Sequence, residues 1–586
     1  MLSVIALEQR LRTVQEAAKQ ALFRLETIVR VGGKLGMHRA LTWPGVKLLL
    51  RTIPKGKTNP SLIFRFYAEN DPDRTAMIQV TSPARPPGAP ALTTRRHYSY
   101  REMNETIDRI GLALSRRGIG KGASVLLLIK NRIEFLLIQP ALGRIGNSAI
   151  PASWRSTAPE IEYLAHHSGA RVIFFDADIA DTIREVAAQL SIPKSSFISV
   201  GGEVPGFASL EELIDRERGE APDASEEGQV VMYTSGTTGR PKGAVRSFQQ
   251  NALAAALCFI GETPMALGDV HLAACPLYHA TAFGFCGFSF LLGGTIAVMS
   301  EFKAEPFLDA VQRHRVATTA LVPTMIHRLI ELGPAAIQRH DLTSLRAIFS
   351  GGAPLSGPLA IEAMDILGDK LWNFYGATET GVVTVASPAD LRSSPGTIGR
   401  AIPAVEIRLL DDAGRESRAG EVGELYARGP MLVDGYHADA EATRQSMNDG
   451  FFSVGDLARR DARGCFHIEG RKRDMIISGG VNVYPAEVEG VLHEHPAVAE
   501  ASVVGVPDRE WGERVRAFLV LRPGMDASDD DLRAHCKGRL AGPKVPRDYI
   551  FLESLPRNPT GKVLKRELRA MEGAPDGPSS RSPHGS

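Results

Sequence analysis

The segment Tyr233–Ala244 (YTSGTTGRPKGA) constrains this chain more than any other stretch. An apolar run, Val230–Ser235, reads as a strand and feeds directly into it. The hydroxyls of Thr234, Ser235, Thr237 and Thr238 are interleaved with Gly236 and Gly239, and Pro241, Lys242 and Gly243 follow. Glycines let backbone N–H groups close around an anion, hydroxyls add donors, and a lysine supplies countercharge. The segment therefore predicts a phosphate-binding loop leaving a buried strand. It is not a Walker A loop, which ends in Gly-Lys-Ser/Thr. A solvated Gly/Ser/Thr turn is the ordinary meaning of such composition, but the ordered run of residues is far more specific than a glycine triplet.

Apolar runs at Ser124–Lys130, Val172–Asp176, Ala317–Pro323 and Arg346–Gly351 also read as strands, and Arg101–Arg117 and Ile133–Ile145 between them as helices. Such alternation predicts an α/β fold with mostly parallel sheets. After about Gly396, through Glu424–Tyr436, short strands with Gly-rich turns predict a β-rich subdomain. A further α/β pattern from Asp474 to Leu568 predicts a small C-terminal domain. At 586 residues the chain exceeds one hydrophobic core. The expected division is an arm at 1–60, a large domain at 61–472, a small mobile domain at 473–570 and a disordered Pro/Ser/Gly-rich tail at 571–586.

A formal net charge of +1 argues against a nucleic-acid partner. Five scattered cysteines without C-x-x-C spacing argue against a disulfide framework or zinc site and for a reducing, cytoplasmic setting. Met1–Leu7 lacks the pattern of a secretory signal. Ala280–Met299 carries no charge and is about as long as a membrane span. Gly293-Gly294 interrupts it before strand-favouring Thr295, Ile296 and Val298, so it reads as a buried helix, a turn and a core strand. The first sixty residues hold eleven Lys/Arg against three Asp/Glu, with apolar residues from Leu7 to Val29 at helical spacing. They predict a basic amphipathic helix, which either docks on the main body or makes a peripheral contact with a membrane surface.

The Tyr233–Ala244 loop resembles that of the adenylate-forming superfamily of acyl-CoA synthetases, peptide-synthetase adenylation domains and luciferases. The likeness extends from about Ser61 to Leu568, with the motifs in the family's order. In the matching segment Phe374–Gly381 (FYGATETG), the resemblance implies that Tyr375 stacks on adenine beside Gly376, Thr378 bonds the α-phosphate and Glu379 holds Mg²⁺. Gly351–Pro354 resembles the segment along the adenine, including Gly352, Ala353 and Pro354. Asp456, in Ser453–Leu457, resembles the carboxylate that accepts the ribose hydroxyls, and Arg471 the ribose- and phosphate-contacting arginine. The family's hinge falls at Arg473, where Lys or Asp is commoner. Gly480 corresponds to the glycine lining the pantetheine channel, and Lys562 in PTGK to the adenylation lysine.

The resemblance thus implies ATP, Mg²⁺ and coenzyme A, with Lys562 facing the site for adenylation and Gly480 facing it for thioester formation. Pro276–Gly294 resembles the acyl-pocket helix, with His279 near the reacting carboxylate and Phe283, Gly284, Phe285 and Gly287 in an apolar wall. Plain core packing is the alternative for these residues, as a structural histidine is for His279. No acidic residue lies between Tyr278 and Ser300, which disfavours amino-acid activation. The expected function is AMP-forming ligation of a medium- or long-chain fatty acid to CoA. Alternatives are an aryl or alicyclic acid, a carrier-protein thiol, a luciferase-like oxygenase, or an inactive acyl-binding or transport protein. Oligomeric state is open.

Overall fold

The computed structural model describes residues 26–27, 29–36, 40–52, 61–80, 97–222, 228–234, 242–246, 250–557 and 562–571. Among the described residues the strands form four sheets. In the first, Leu371–Ala377, Ala347–Ser350, Thr318–Leu321, Val270–Ala273, Thr295–Val298 and Thr75–Gln79 run parallel, with antiparallel strands at both edges. In the second, Val230–Thr234, Ser148–Pro151, Ser124–Leu128, Ala170–Asp176, Phe197–Val200 and Ala208–Ser209 run parallel. The third is antiparallel, between Glu406–Leu410 and Phe466–Arg471. The fourth, from Ile476–Ser478 to Asp548–Phe551, is mostly antiparallel. The α/β architecture with mainly parallel sheets is thus as the alternating pattern predicts.

Local chemistry explains where elements begin. The helix Tyr100–Arg116 opens on a capping box, Ser99 with Glu102, which pairs otherwise orphaned N–H groups. The charge-free stretch is a helix, Ala280–Leu291, a turn at Gly293 with φ +60°, and a fully buried strand, Thr295–Val298. A side chain at Gly293 would strike the Tyr67 ring, so the break there is sterically required. No helix of the described residues is long and apolar enough to cross a membrane.

One buried amide joins the two parallel sheets. Asn131 follows the strand Ser124–Leu128 of the second sheet. Its Nδ2 donates to the carbonyls of Cys275 (2.8 Å) and Met299 (3.2 Å), and its Oδ1 accepts from the Leu277 N–H at 2.8 Å. Cys275 and Met299 each follow a strand of the first sheet, and Leu277 immediately precedes Tyr278 and His279. Asn131→Ala should leave them unpaired and lower stability by roughly 2–4 kcal/mol. Urea unfolding would measure the loss, and an unchanged midpoint would contradict the bridging role.

Candidate active site

The predicted phosphate loop lies between two paired strands. Val230–Thr234 runs antiparallel to Lys242–Arg246, with Thr234 opposite Lys242. Ser235, Gly236, Thr237, Thr238 and Gly239 lie outside the described residues, as do Pro559 to Gly561. Lys242 sits at the base of the loop, 3.2 Å from Asp439 and 5.5 Å from the centre of the Tyr436 ring. Gly243 is packed so closely that a Cβ would approach Val231 Cγ1 to 2.9 Å.

The strand Leu371–Ala377 carries the next group. Its pairing with Gly381–Ala386 shifts register between Tyr375 and Gly376, and such a bulge re-aims side chains. A Cβ on Gly376 would lie 2.1 Å from the Gly381 carbonyl oxygen, so only glycine permits that approach. Beyond the bulge Glu379 is 6% exposed and accepts a hydrogen bond from the Tyr436 hydroxyl at 3.1 Å. Burial and the Glu379 charge together push the Tyr436 phenol well above its ordinary pKa, so it remains a donor.

Asp456 and Arg471 stand opposite each other on the antiparallel strands Asp456–Arg460 and Phe466–Arg471. The Asp456 carboxylate, 8% exposed, takes a 2.7 Å hydrogen bond from Tyr375 on one oxygen and a 3.1 Å ion pair from Arg471 on the other. A carboxylate has about four acceptor positions, so these two contacts leave room for a diol. Lys562 reaches the same region from the C-terminal sheet's side. Burial, reinforced by the Arg471 guanidinium, lowers its pKa to about 8.

His279 precedes the helix Ala280–Leu291 as its N-cap and packs on Tyr278 at 4.3 Å between ring centres. Burial holds its pKa down at about 4, and Nε2 has no hydrogen-bond partner among the described residues. It is a neutral imidazole with a nitrogen still to be satisfied, beside the electropositive start of a helix. Along that helix Gly284 and Gly287 have open space where a Cβ would stand. Phe285 is mainly a core residue, packed on Phe349 and Phe374 at 4.7 and 5.3 Å and stacked beside His271.

These groups converge on one cavity of about 2480 Å³. Lys242, Gly352, Gly376, Thr378, Glu379, Asp456, Arg471, His279, Phe283, Gly284, Phe285, Gly287 and Lys562 all line it. Tyr375, Ala353 and Pro354 do not line it. Gly480 and Arg473 also lie outside it. Gly480 instead forms the tip of a hairpin between Ile476–Ser478 and Val481–Val483, where Gly479 and Gly480 take φ of +58° and +79°, the left-handed pair a two-residue turn demands. Arg473 lies in a short 3₁₀ turn, Lys472–Asp474, between the third and fourth sheets.

The motifs did not identify Tyr436, Asp439 or Glu424. Tyr436 reaches the site because Gly435–Tyr436 adds as an edge strand to Lys242–Arg246, nearly two hundred residues earlier. Glu424 accepts from Ser453 at 2.7 Å and pairs with Lys472 at 3.1 Å, tying the strand Val422–Arg428 to both sides of Asp456. The one available signal was the placement of Tyr436 after Gly435, in a segment read only as a turn-rich strand.

Known proteins fit this arrangement. The family profile for AMP-binding enzymes matches residues 64–437, and that for the AMP-binding enzyme C-terminal domain matches 487–562. The chain belongs to this family, the adenylate-forming enzymes. It is 33% identical over 509 residues to the fatty acid–[acyl-carrier-protein] ligase ScoC of Streptomyces coeruleorubidus, covering 85% of this chain and 96% of that protein. It is 35% identical over 493 residues to a feruloyl-CoA synthase of an Amycolatopsis species, covering 83% and 97%. Among solved structures, o-succinylbenzoate CoA synthetase (MenE) of Bacillus subtilis, in complex with its acyl-adenylate intermediate, superposes with a TM-score of 0.75. That match is 28% identical and covers 88% of this chain and 99% of MenE.

The depressed Lys562 pKa can be measured directly. Amine labelling of the ligand-free protein, followed by mass spectrometry, should show Lys562 reactivity rising with a midpoint near pH 8. Arg471→Ala removes a repelling cation and should move that midpoint upward. A midpoint at the ordinary lysine value in both proteins would contradict the geometry described here.

Proposed function

We propose that this AMP-forming acid–CoA ligase, which uses ATP, Mg²⁺ and CoA, activates a medium- or long-chain fatty acid. The observation that carries the proposal is the continuity of the cavity. One wall runs from Asp456, Glu379 and Lys562, suited to a nucleotide, to His279, Phe283, Gly284 and Gly287, suited to an apolar acid. Its volume of about 2480 Å³ exceeds a typical small-molecule pocket of roughly 300–1,000 Å³ and can admit both substrates.

Each residue's part follows from its chemistry. Asp456, fixed by Tyr375 and Arg471, accepts the ribose hydroxyls. The loop above Lys242 cradles the phosphates, and Thr378 donates to the α-phosphate. Glu379 suits Mg²⁺, which typically takes one or two carboxylates together with substrate phosphates. When bound, the ion would neutralise charge on those phosphates. Tyr436 holds the Glu379 carboxylate in place. The acid's carboxylate comes to rest near His279 and the helix start at Ala280, where backbone N–H groups favour an anion. A carboxylate oxygen attacks the α-phosphorus, and the bond to pyrophosphate breaks. Lys562, as an ammonium, bridges both reactants while negative charge concentrates between them.

In the second half-reaction the CoA sulfur attacks the acyl carbonyl carbon, and AMP leaves. Gly480 lies outside the cavity wall while Lys562 lines it. The arrangement fits the adenylation state of a two-state hinge, with rotation near Arg473 exchanging the two faces. The proposed division is a domain at 61–472 and a mobile domain at 473–570. Peripheral membrane contact is also proposed for the region before residue 60: Trp43, 72% exposed, and Leu50 lie on the helix Trp43–Thr52 with Lys47 and Arg51. An aryl acid is the competing substrate, since relatives include ligases of feruloyl and succinylbenzoyl groups.

AMP release from Mg·ATP over a panel of fatty and aryl acids, with and without CoA, tests the substrate. Release that needs both CoA and a fatty acid supports the proposal, and release with aryl acids alone overturns it. Lys562→Ala should slow adenylation about 10²-fold or more, yet leave thioester formation from supplied acyl-AMP largely intact. Gly480→Leu should do the reverse. Equal losses in both half-reactions would sink these two assignments.

A further inference from the structure

The AMP-binding family profile begins at residue 64, so the preceding segment lies outside it. Part of that segment nonetheless has a defined place on the body. Val31 is 1% exposed and packs into the apolar cluster of Phe259, Phe285 and Phe288. A Cβ on Gly261 would come within 3.0 Å of Val31 Cγ2, and the Lys34 ammonium donates to the Gly261 carbonyl. Further along, the buried amide of Asn70 donates to the Ala40 carbonyl at 2.9 Å. It accepts from the Thr42 N–H at 2.8 Å and the Thr42 hydroxyl at 3.0 Å. Gly45 stands so close that a Cβ would lie 2.4 Å from Asn70 Oδ1. These contacts fix the paths of residues 29–36 and 40–52.

That path borders the acid site. Val29, Gly32, Gly33, Ala40, Leu41 and Leu49 line the same cavity as His279, Gly284 and Gly287. No atom of the described residues stands within 4 Å of a Cβ placed on Gly33, as is also true of Gly284 and Gly287. Val29 and Leu41 keep 65% and 44% of their surface exposed, apolar area that a bound hydrocarbon would cover. Polar groups of the cavity, from His279 to Asp456, come from later in the chain, and residues 29–36 and 40–52 contribute only aliphatic side chains and glycine to the wall. A ligand reaching it would meet van der Waals surface and no hydrogen-bonding demand.

We propose that residues 29–36 and 40–52 form the outer wall of the acid site, holding the distal methylenes of a long acyl chain and so setting the chain-length preference. This rests on the fatty-acid reading above. Each methylene transferred from water to apolar surface gains roughly a factor of four in binding. Losing two or three such contacts should therefore change the preference for long over short acids by about tenfold or more.

The test compares kcat/KM for butanoate, octanoate, dodecanoate and hexadecanoate in the full-length protein and two variants. Gly33→Phe fills the open space, and Leu41→Asp places a charge against the methylene path. Both positions are exposed, so neither change disturbs a packed core. The hexadecanoate-to-butanoate ratio should fall about tenfold or more in each. A ratio unchanged in both variants, or an equal loss for every acid, would overturn the assignment. If the unaltered protein releases AMP with none of these acids, the fatty-acid reading fails, and the role of the segment fails with it. Activity on these acids with an unshifted ratio removes the outer wall alone.

Discussion

The Asp456 carboxylate is the point on which one end of the cavity depends. Tyr375 reaches it from the first parallel sheet, Arg471 from the adjoining strand of the antiparallel sheet, and Lys562 approaches from the C-terminal side. A buried carboxylate left without partners would be costly, and here two donors of different origin compensate it. The same contacts fix the position of the strand Phe466–Arg471, which leads directly into the turn Lys472–Asp474. Whatever moves about that turn therefore moves relative to a fixed Asp456. The low Lys562 pKa has the same origin, since burial and Arg471 both disfavour an ammonium until anionic substrate arrives.

At the His279 end of the cavity the constraint is a different one. Asn131 clamps the turn before Tyr278, and this places His279 at the start of the helix Ala280–Leu291. Burial keeps the imidazole neutral, and its Nε2 has no partner among the described residues. From there Gly284 and Gly287 leave the helix surface open on the cavity side, while Phe285 stays among the core aromatics. One helix thus serves both as core and as pocket wall, and its uninterrupted apolarity follows from both duties.

Much of the α/β order was legible, because strand and helix periodicities are local. The runs at Ser124, Val172, Val230, Ala317 and Arg346 all became strands, and Ala280–Met299 became helix, turn and strand because Gly293 needs a positive φ. The motif residues Thr378, Glu379, Asp456 and Lys562 could be singled out for another reason. The family resemblance rests on particular side chains in a particular order, a pattern visible in the linear chain, and the structure brings all four to one cavity. Tyr436 and Glu424 were not legible, since a lone tyrosine and a lone glutamate carry no pattern. They matter only because a distant edge strand and a neighbouring sheet bring them to Glu379 and to Ser453.

By itself, then, the sequence determined the class of chemistry and the alternation of elements, which depend on residue type and short-range spacing. The tertiary structure decided which of those residues share one cavity. It kept Tyr375 off the cavity wall and in contact with Asp456, and it set Lys562 on the wall with Gly480 outside it. It also carried residues 29–36 and 40–52 to the border of that cavity through Asn70 and Val31. These are contacts between residues far apart in the chain, fixed by packing and by buried hydrogen bonds, and no local pattern encodes them.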